Sequence, residues 1–287
     1  MTDHPALAER LARRQRAVVG GALALLGLLA WLYLLAGAGM GHGPVETTRL
    51  SLFPHTAAPA PDAMPGMDMP MEGVAEASPP AWSAGLWLLV AAMWWTMMVA
   101  MMSPSAAPAV LLYARVVRHA GGRPDGRGLA PTGAFAAGYF LAWLAFALAA
   151  TAAQWGLEQS GLVASAMAGS RDRWFSAALL LAAGVYQLSP LQAACLSHCR
   201  SPAQFLTRHW RPGASGAVRL GLLHGAYCVG CCWALMALLF VGGVMNLAWI
   251  AVLSLLVLAE KVAPGGPWIG RAAGLVLIAW AALTLLV

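Results

Sequence analysis

Residues 84–112 read AGLWLLVAAMWWTMMVAMMSPSAAPAVLL, a stretch without one charged side chain. A hydrocarbon core of roughly 30 Å is crossed by about 20 helical residues, so this run is long enough to span a bilayer and sets the class of the whole chain. Comparable apolar runs lie near 17–38, 132–154, 173–194, 220–242, 244–260 and 268–287. The pattern predicts an all-α, polytopic transmembrane helix bundle of about seven spans. Composition agrees, since 60% hydrophobic residues, 10% charged residues and a mean hydropathy of +0.70 lie far from a soluble domain. The last two spans follow the short links Gly242-Gly243 and Pro264-Gly265-Gly266-Pro267, and a single re-entrant pair is the alternative there.

Basic residues of short loops stay on the cytoplasmic side. Arg10, Arg13, Arg14 and Arg16 precede the first run; Arg115, Arg118, Arg123 and Arg127 follow the second; Arg200, Arg208, Arg211 and Arg219 follow the fourth; Lys261 and Arg271 flank the last link. In a seven-span chain all of these fall on one side. The other side keeps Arg49, Arg171 and Arg173 but gathers Glu46, Asp62, Asp68, Glu72, Glu76, Glu158 and Asp172. The N-terminus is therefore expected inside and the C-terminus outside. Topology accounts for the net charge of +6 and the pI near 9.4, so no nucleic-acid partner is called for.

Three regions follow. Residues 1–38 form a basic cytoplasmic tail plus the first helix, read as a retained anchor because its apolar stretch is long for a cleavable signal core. Residues 39–82 are rich in Pro, Ala, Met and acidic side chains and too poor in aromatic or branched residues for a core, which predicts a flexible external loop. Residues 83–287 form a six-helix domain.

Sulfur concentrates in that frame. Within the loop, Met64, Met67, Met69 and Met71 surround Asp68, with Met40, His42 and His55 upstream. Thioethers have no proton to lose and form no disulfides, so they can hold a soft monovalent cation in an oxidising compartment. In the second run, Met93, Met97 and Met101 form one stripe at about 100° per residue, with Met98 and Met102 beside it. Methionine is also ordinary packing filler, but five in ten positions favour a ladder of ligands. Pro104 and Pro108 follow, and each frees a carbonyl, which predicts a kinked or unwound segment.

The cysteines fall in two groups of the same spacing, Cys195, His198 and Cys199, then Cys228, Cys231 and Cys232. At i, i+3 and i+4 each group occupies one helical face, and His224, Cys228, Cys232 and Met236 extend the second into a stripe. A helical rise of about 1.5 Å per residue puts Cys228–Cys232 roughly 12–18 Å and Met97–Met102 roughly 19–27 Å from their entry points on opposite sides, so the two groups can face each other. His224 is either a ligand or a histidine bonded to a backbone carbonyl, because a buried ring needs a partner. Gly221 and Gly225 bracket it in a pattern that admits a second helix closely.

Metal thiolates explain two matched groups better than inert thiols do, and the expected reducing side argues against structural disulfides. Copper(I) suits the joint Cys and Met set; zinc suits Cys and His but takes thioethers poorly. Cys228 and Cys231 also form a C-x-x-C, the signature of a thiol–disulfide oxidoreductase, and a metal-independent assembly factor docking other membrane subunits is the third class. No phosphate-binding loop, mid-span carboxylate or nucleophile with an adjacent base can be picked out, so copper handling without catalysis is the favoured function. Partners would be the lipid bilayer, the ion, and a metal donor or acceptor protein.

Met93 to Pro104, Tyr186 to Pro190 with Cys195 to Cys199, Arg200-Ser201-Pro202 with His209-Trp210, Gly221 to Met236, Gly242 to Asn246 and Glu260-Lys261 occur in order. Together they resemble the bacterial family of predicted metal-binding integral membrane proteins labelled domain of unknown function 2182, over about residues 80–270. The resemblance implies metal binding in a multi-pass protein of the bacterial inner membrane, without an established activity. The family pattern often carries a lysine ahead of the first cysteine group, where this chain has Gln192.

Overall fold

The computed structural model describes residues 4–37, 82–120, 129–163, 169–170 and 172–286. The external loop, with Met64, Met67, Met69 and Met71, lies outside the described residues. Among the described residues the protein is helical with no strand, apart from an isolated bridge between Val163 and Ser170. The helices are α1 (His4–Leu35), α2 (Ala84–Ala120), α3 (Leu129–Gln159), α4 (Arg173–Gln187), α5 (Pro190–Arg200), α6 (Pro202–His209), α7 (Gly213–Ala237), α8 (Leu239–Gly242), α9 (Leu247–Val262) and α10 (Gly266–Leu286).

Among the described residues, five stretches are long and apolar enough to cross a membrane: α1 from Ala17, α2, α3, α7 continued through α8, and α10. A sixth arises if α4 and α5 form one broken span, bent by 62°. The bend is local chemistry. Ser189 leaves the helix in an extended conformation and its hydroxyl caps the Gln192 N–H, while Pro190 opens α5 at a position where its missing N–H costs nothing. The expected run at 244–260 becomes α9, whose 16 residues are shorter than a full crossing.

Peripheral and core helices separate by burial. In α7, 67% of the apolar stretch is buried inside the protein, against 17% in α1 and 22% in α10. Close approaches are made where side chains vanish. A Cβ on Gly221 would strike the Phe135 carbonyl, one on Gly225 would meet Ala142 and the Tyr139 carbonyl, and one on Gly138 would strike Val218, so α3 and α7 touch backbone to backbone. Gly184 of α4 and Gly274 of α10 repeat the device.

Two contacts fix which helix ends share a side. The Arg200 guanidinium at the end of α5 bonds to the carbonyls of Glu260, Ala263 and Pro264, joining it to the α9–α10 turn. At the opposite end Gly169, in the segment between α3 and α4, packs on Gly243 in the turn between α8 and α9. Gly243 has φ 91°, a conformation that suits glycine, and Asn246 caps the N-terminus of α9. Thus α9 runs antiparallel to α7 despite its shortness.

The methionine-bearing helix differs from expectation. α2 continues through Pro104 and Pro108 from Ala84 to Ala120, so no segment below the methionines unwinds. The Ser103 and Ser105 hydroxyls bond to the carbonyls of Val99 and Met102 beside the prolines, and Gly27 of α1 packs at Ser103. These bonds go to carbonyls near those of Ala100 and Pro104, which the two prolines leave without their helical donors.

Candidate metal centre

Cys228 is the hub. It lies midway along α7, 1% exposed, with its Sγ 2.9 Å from the Tyr139 hydroxyl of α3 and 2.9 Å from the Lys261 ammonium of α9. The Cys199 thiol of α5 lies close enough to Cys228 and Cys231 for the three sulfurs to interact. The two cysteine groups, separate in sequence, therefore meet inside the bundle. Cys195 packs in the space that a side chain on Gly230 would take.

The thiols of Cys231 and Cys232 donate to the Cys228 carbonyl at 3.1 and 3.0 Å. That is the internal hydrogen bond of a helical cysteine, and it turns both sulfurs onto the backbone. Among the described residues, accordingly, no three His, Cys, Asp or Glu donors are gathered around one point as a finished chelate. Closing a metal site asks for side-chain rotation about Cα–Cβ, a motion of exposed side chains on the picosecond-to-nanosecond scale that dense packing slows.

His224 stands one turn before Cys228. Its ring packs against Phe135, Tyr139 and Phe205 at centroid separations of 6.1, 5.9 and 5.1 Å, and it is 3% exposed. Its Nδ1 has no hydrogen-bond partner, so that nitrogen is not bonded to a carbonyl. An orphaned buried nitrogen next to thiols fits a soft-metal donor set. His198 is placed differently: its ring stacks on Tyr227 at 4.1 Å and its Nδ1 lies 2.9 Å from the Ala194 carbonyl. Of the first group, then, the structure joins Cys199 to the α7 thiols and engages His198 elsewhere.

Met93, Met97, Met98, Met101 and Met102 are all buried to 1% exposure or less, and so is Met236. The stripe faces the protein interior. Its lower end approaches the thiols through two polar side chains: Ser105 Oγ lies 3.8 Å from the Met102 sulfur, and Lys261 Nζ lies 3.3 Å from Ser105 Oγ. One ammonium thus touches both the foot of the methionine helix and the hub thiol. Higher up, the Met101 carbonyl accepts from Ser254 of α9, and Trp94 packs on Phe240.

Sequence patterns did not single out Lys261 or Tyr139 as site residues. Their partner Cys228 lies 33 and 89 positions away, beyond any helical repeat. The sequence signal is weak: Lys261 follows Glu260 at the end of an otherwise apolar run, where it reads as an orienting charge and as part of a family motif with no role attached. Glu260 itself is buried, bonded by Gln187 and, at 3.5 Å, by Gln192, so a neutral amide occupies the place where the family pattern often has lysine.

A family model described as PpoB2, copper chaperone, matches residues 91–284. No curated protein and no solved structure matches the chain. The matched residues include the buried methionine stripe and both cysteine groups, and leave out the external loop. The family's name differs from the domain of unknown function 2182 that the motifs resemble; metal binding is what the two have in common. With about two-thirds of its length covered by that match, the chain belongs to the PpoB2 copper chaperone family.

Proposed function

We propose that the protein is an integral membrane copper(I) chaperone of the bacterial inner membrane, with the metal as cargo. The external methionines, Met64, Met67, Met69 and Met71, collect the ion. Met93, Met97, Met98, Met101 and Met102 relay it along α2, and Cys228, Cys199, Cys231 and Cys232 receive it, with Cys195, His198, His224 and Met236 around them. The observation that carries this is the meeting of Cys199 with Cys228 and Cys231 across two helices, in a buried site reached from the methionine helix through Ser105 and Lys261.

Copper(I) is favoured over zinc because it accepts both thiolate and thioether donors. Transfer by ligand exchange then needs no change of oxidation state. The alternation of helix ends, with α9 returning antiparallel to α7, is consistent with termini on opposite sides, the basic residues assign the N-terminal side to the cytoplasm, and a soluble donor or acceptor protein would meet the ion at either end.

Elemental analysis of protein purified anaerobically in detergent tests the proposal. Copper at a fixed stoichiometry is expected, lowered by Cys228→Ser and by Met97→Leu; the same stoichiometry in both variants would reject it. Zinc in place of copper would reassign the cargo. Alkylation mass spectrometry in the same samples addresses the thiol oxidoreductase alternative, which requires a reversible Cys228–Cys231 disulfide.

A further inference from the structure

Near the junction of α6 and α7 lies a cavity of about 150 Å³ lined by Arg208, His209, Trp210, Arg211, Arg219 and Leu220, with Gly216 and Leu223 completing the wall. Pockets for drug-sized ligands run from roughly 300 Å³, so this one admits a single small group. Its lining combines basic and apolar side chains. Three arginines and a histidine line it together with Leu220 and Leu223, and Leu222, next to Leu223 in the chain, is exposed.

None of the three arginines makes a hydrogen bond or ion pair among the described residues, and the carboxylates of described side chains are engaged elsewhere. Glu158 accepts from Trp82 and Gln154, Asp172 caps Phe175, and Glu260 accepts from Gln187 and Gln192. The imidazole is anchored, with Nδ1 of His209 on the Phe205 carbonyl at 3.1 Å. The same place holds the start of α7, whose N-cap is Pro212 and which has no side-chain cap. Its first N–H groups and the positive end of its dipole therefore add to the cationic wall. Such a concentration of uncompensated positive charge next to apolar surface matches an anion that carries its own hydrocarbon.

We propose that the cavity binds the phosphate of an anionic phospholipid, with the guanidiniums on the phosphate oxygens, Trp210 at the level of the headgroup and the acyl chains along the Leu222 side of α7. Planar guanidiniums present paired donors that match phosphate oxygens, and basic pockets at the cytoplasmic ends of spans suit acidic headgroups. The inference rests on the membrane reading, which a need for detergent to keep the protein dispersed checks separately, and it is independent of the copper reading.

Delipidated full-length protein is incubated with short-chain phosphatidylglycerol, short-chain phosphatidylcholine or inorganic phosphate, and bound species are counted by native mass spectrometry. Phosphatidylglycerol should be retained and phosphatidylcholine not. At about 1 kcal/mol for each basic side chain near an anionic surface, Arg219→Gln should weaken retention about fivefold and the triple variant R208Q/R211Q/R219Q about a hundredfold. Arg271→Gln, whose guanidinium lies 5.1 Å over the Trp268 ring outside this cavity, should leave it unchanged. Equal retention of the two lipids, an unaffected triple variant, or an equal loss in Arg271→Gln would overturn the proposal. Displacement of the lipid by inorganic phosphate at matched concentration would assign the cavity to the free anion and overturn the lipid source. Should the triple variant fail to fold, Arg219→Gln alone carries the test.

Discussion

The Lys261 ammonium and the Cys228 sulfur, 33 residues apart on antiparallel helices, lie 2.9 Å from each other in the protein interior. A buried ammonium must be given acceptors, and here they are this sulfur and the Ser105 hydroxyl. Removing either member leaves the other underprovided, at about 1–3 kcal/mol for an unsatisfied buried polar group and more for a charged one. Cys228→Ala should therefore lower the thermal midpoint, and adding Lys261→Met should restore part of it. Additive losses in the double variant, read by detergent-phase thermal unfolding, would show that the contact carries no coupling energy.

The methionine stripe separates packing from ligation. Leucine nearly conserves methionine's volume, and such exchanges cost less than about 1.5 kcal/mol in a well-packed core. Met97→Leu combined with Met101→Leu should keep the thermal midpoint within a few degrees while bound copper falls. Full copper occupancy in a stable double variant would reduce the stripe to filler.

Backbone contact between α3 and α7 has no room for a methyl group. Gly221→Ala would press a Cβ onto the Phe135 carbonyl, and overpacking costs about 1–3 kcal/mol or more. Gly133→Ala, with open space around it, is the matched control. A lower midpoint is expected in the first and none in the second, whose helix propensity even improves.

At the other end of the bundle, Glu158 accepts from the Trp82 indole at 3.0 Å and from Gln154 at 2.9 Å, and Gln154 in turn accepts from Trp94 at 2.8 Å. This chain ties Trp82, the last residue of the segment 39–82, to the helix that bears the methionines. Glu158→Ala should destabilise the protein by about 1–3 kcal/mol and shift indole emission as Trp82 loses its partner. An unchanged spectrum would place Trp82 outside the network.

Helical character, the buried stripe of α2 and the close seam at Gly221 and Gly225 were legible because each is written at a spacing of three or four residues, the period of the structure that displays it. The meeting of Cys199 with Cys228 was only half legible. Spacing put each group on a face, but the depth estimate related Cys228 to the methionines of α2 and not to Cys199, and the turn that brings α5 inward depends on Ser189 and Pro190 acting together. Lys261, Tyr139 and Glu158 were beyond reach for another reason: their partners come from other helices, and a single buried ionisable side chain at a span end looks the same whether it orients the chain or serves a site. Continuity of α2 through two prolines was likewise hidden, since the hydroxyls of Ser103 and Ser105 that accompany it have no periodic signature.

Burial of the thioethers on α2 has a consequence for timing. With Met93, Met97, Met98, Met101 and Met102 exposed to 1% or less, an ion relayed along them as proposed would have to exchange its water for sulfur on entry and advance as the surrounding helices breathe. Chelators confined to the aqueous phase would then compete at the two mouths and be blind to the cargo in between, and the pace of delivery would follow the temperature dependence of protein opening instead of the concentration of free metal.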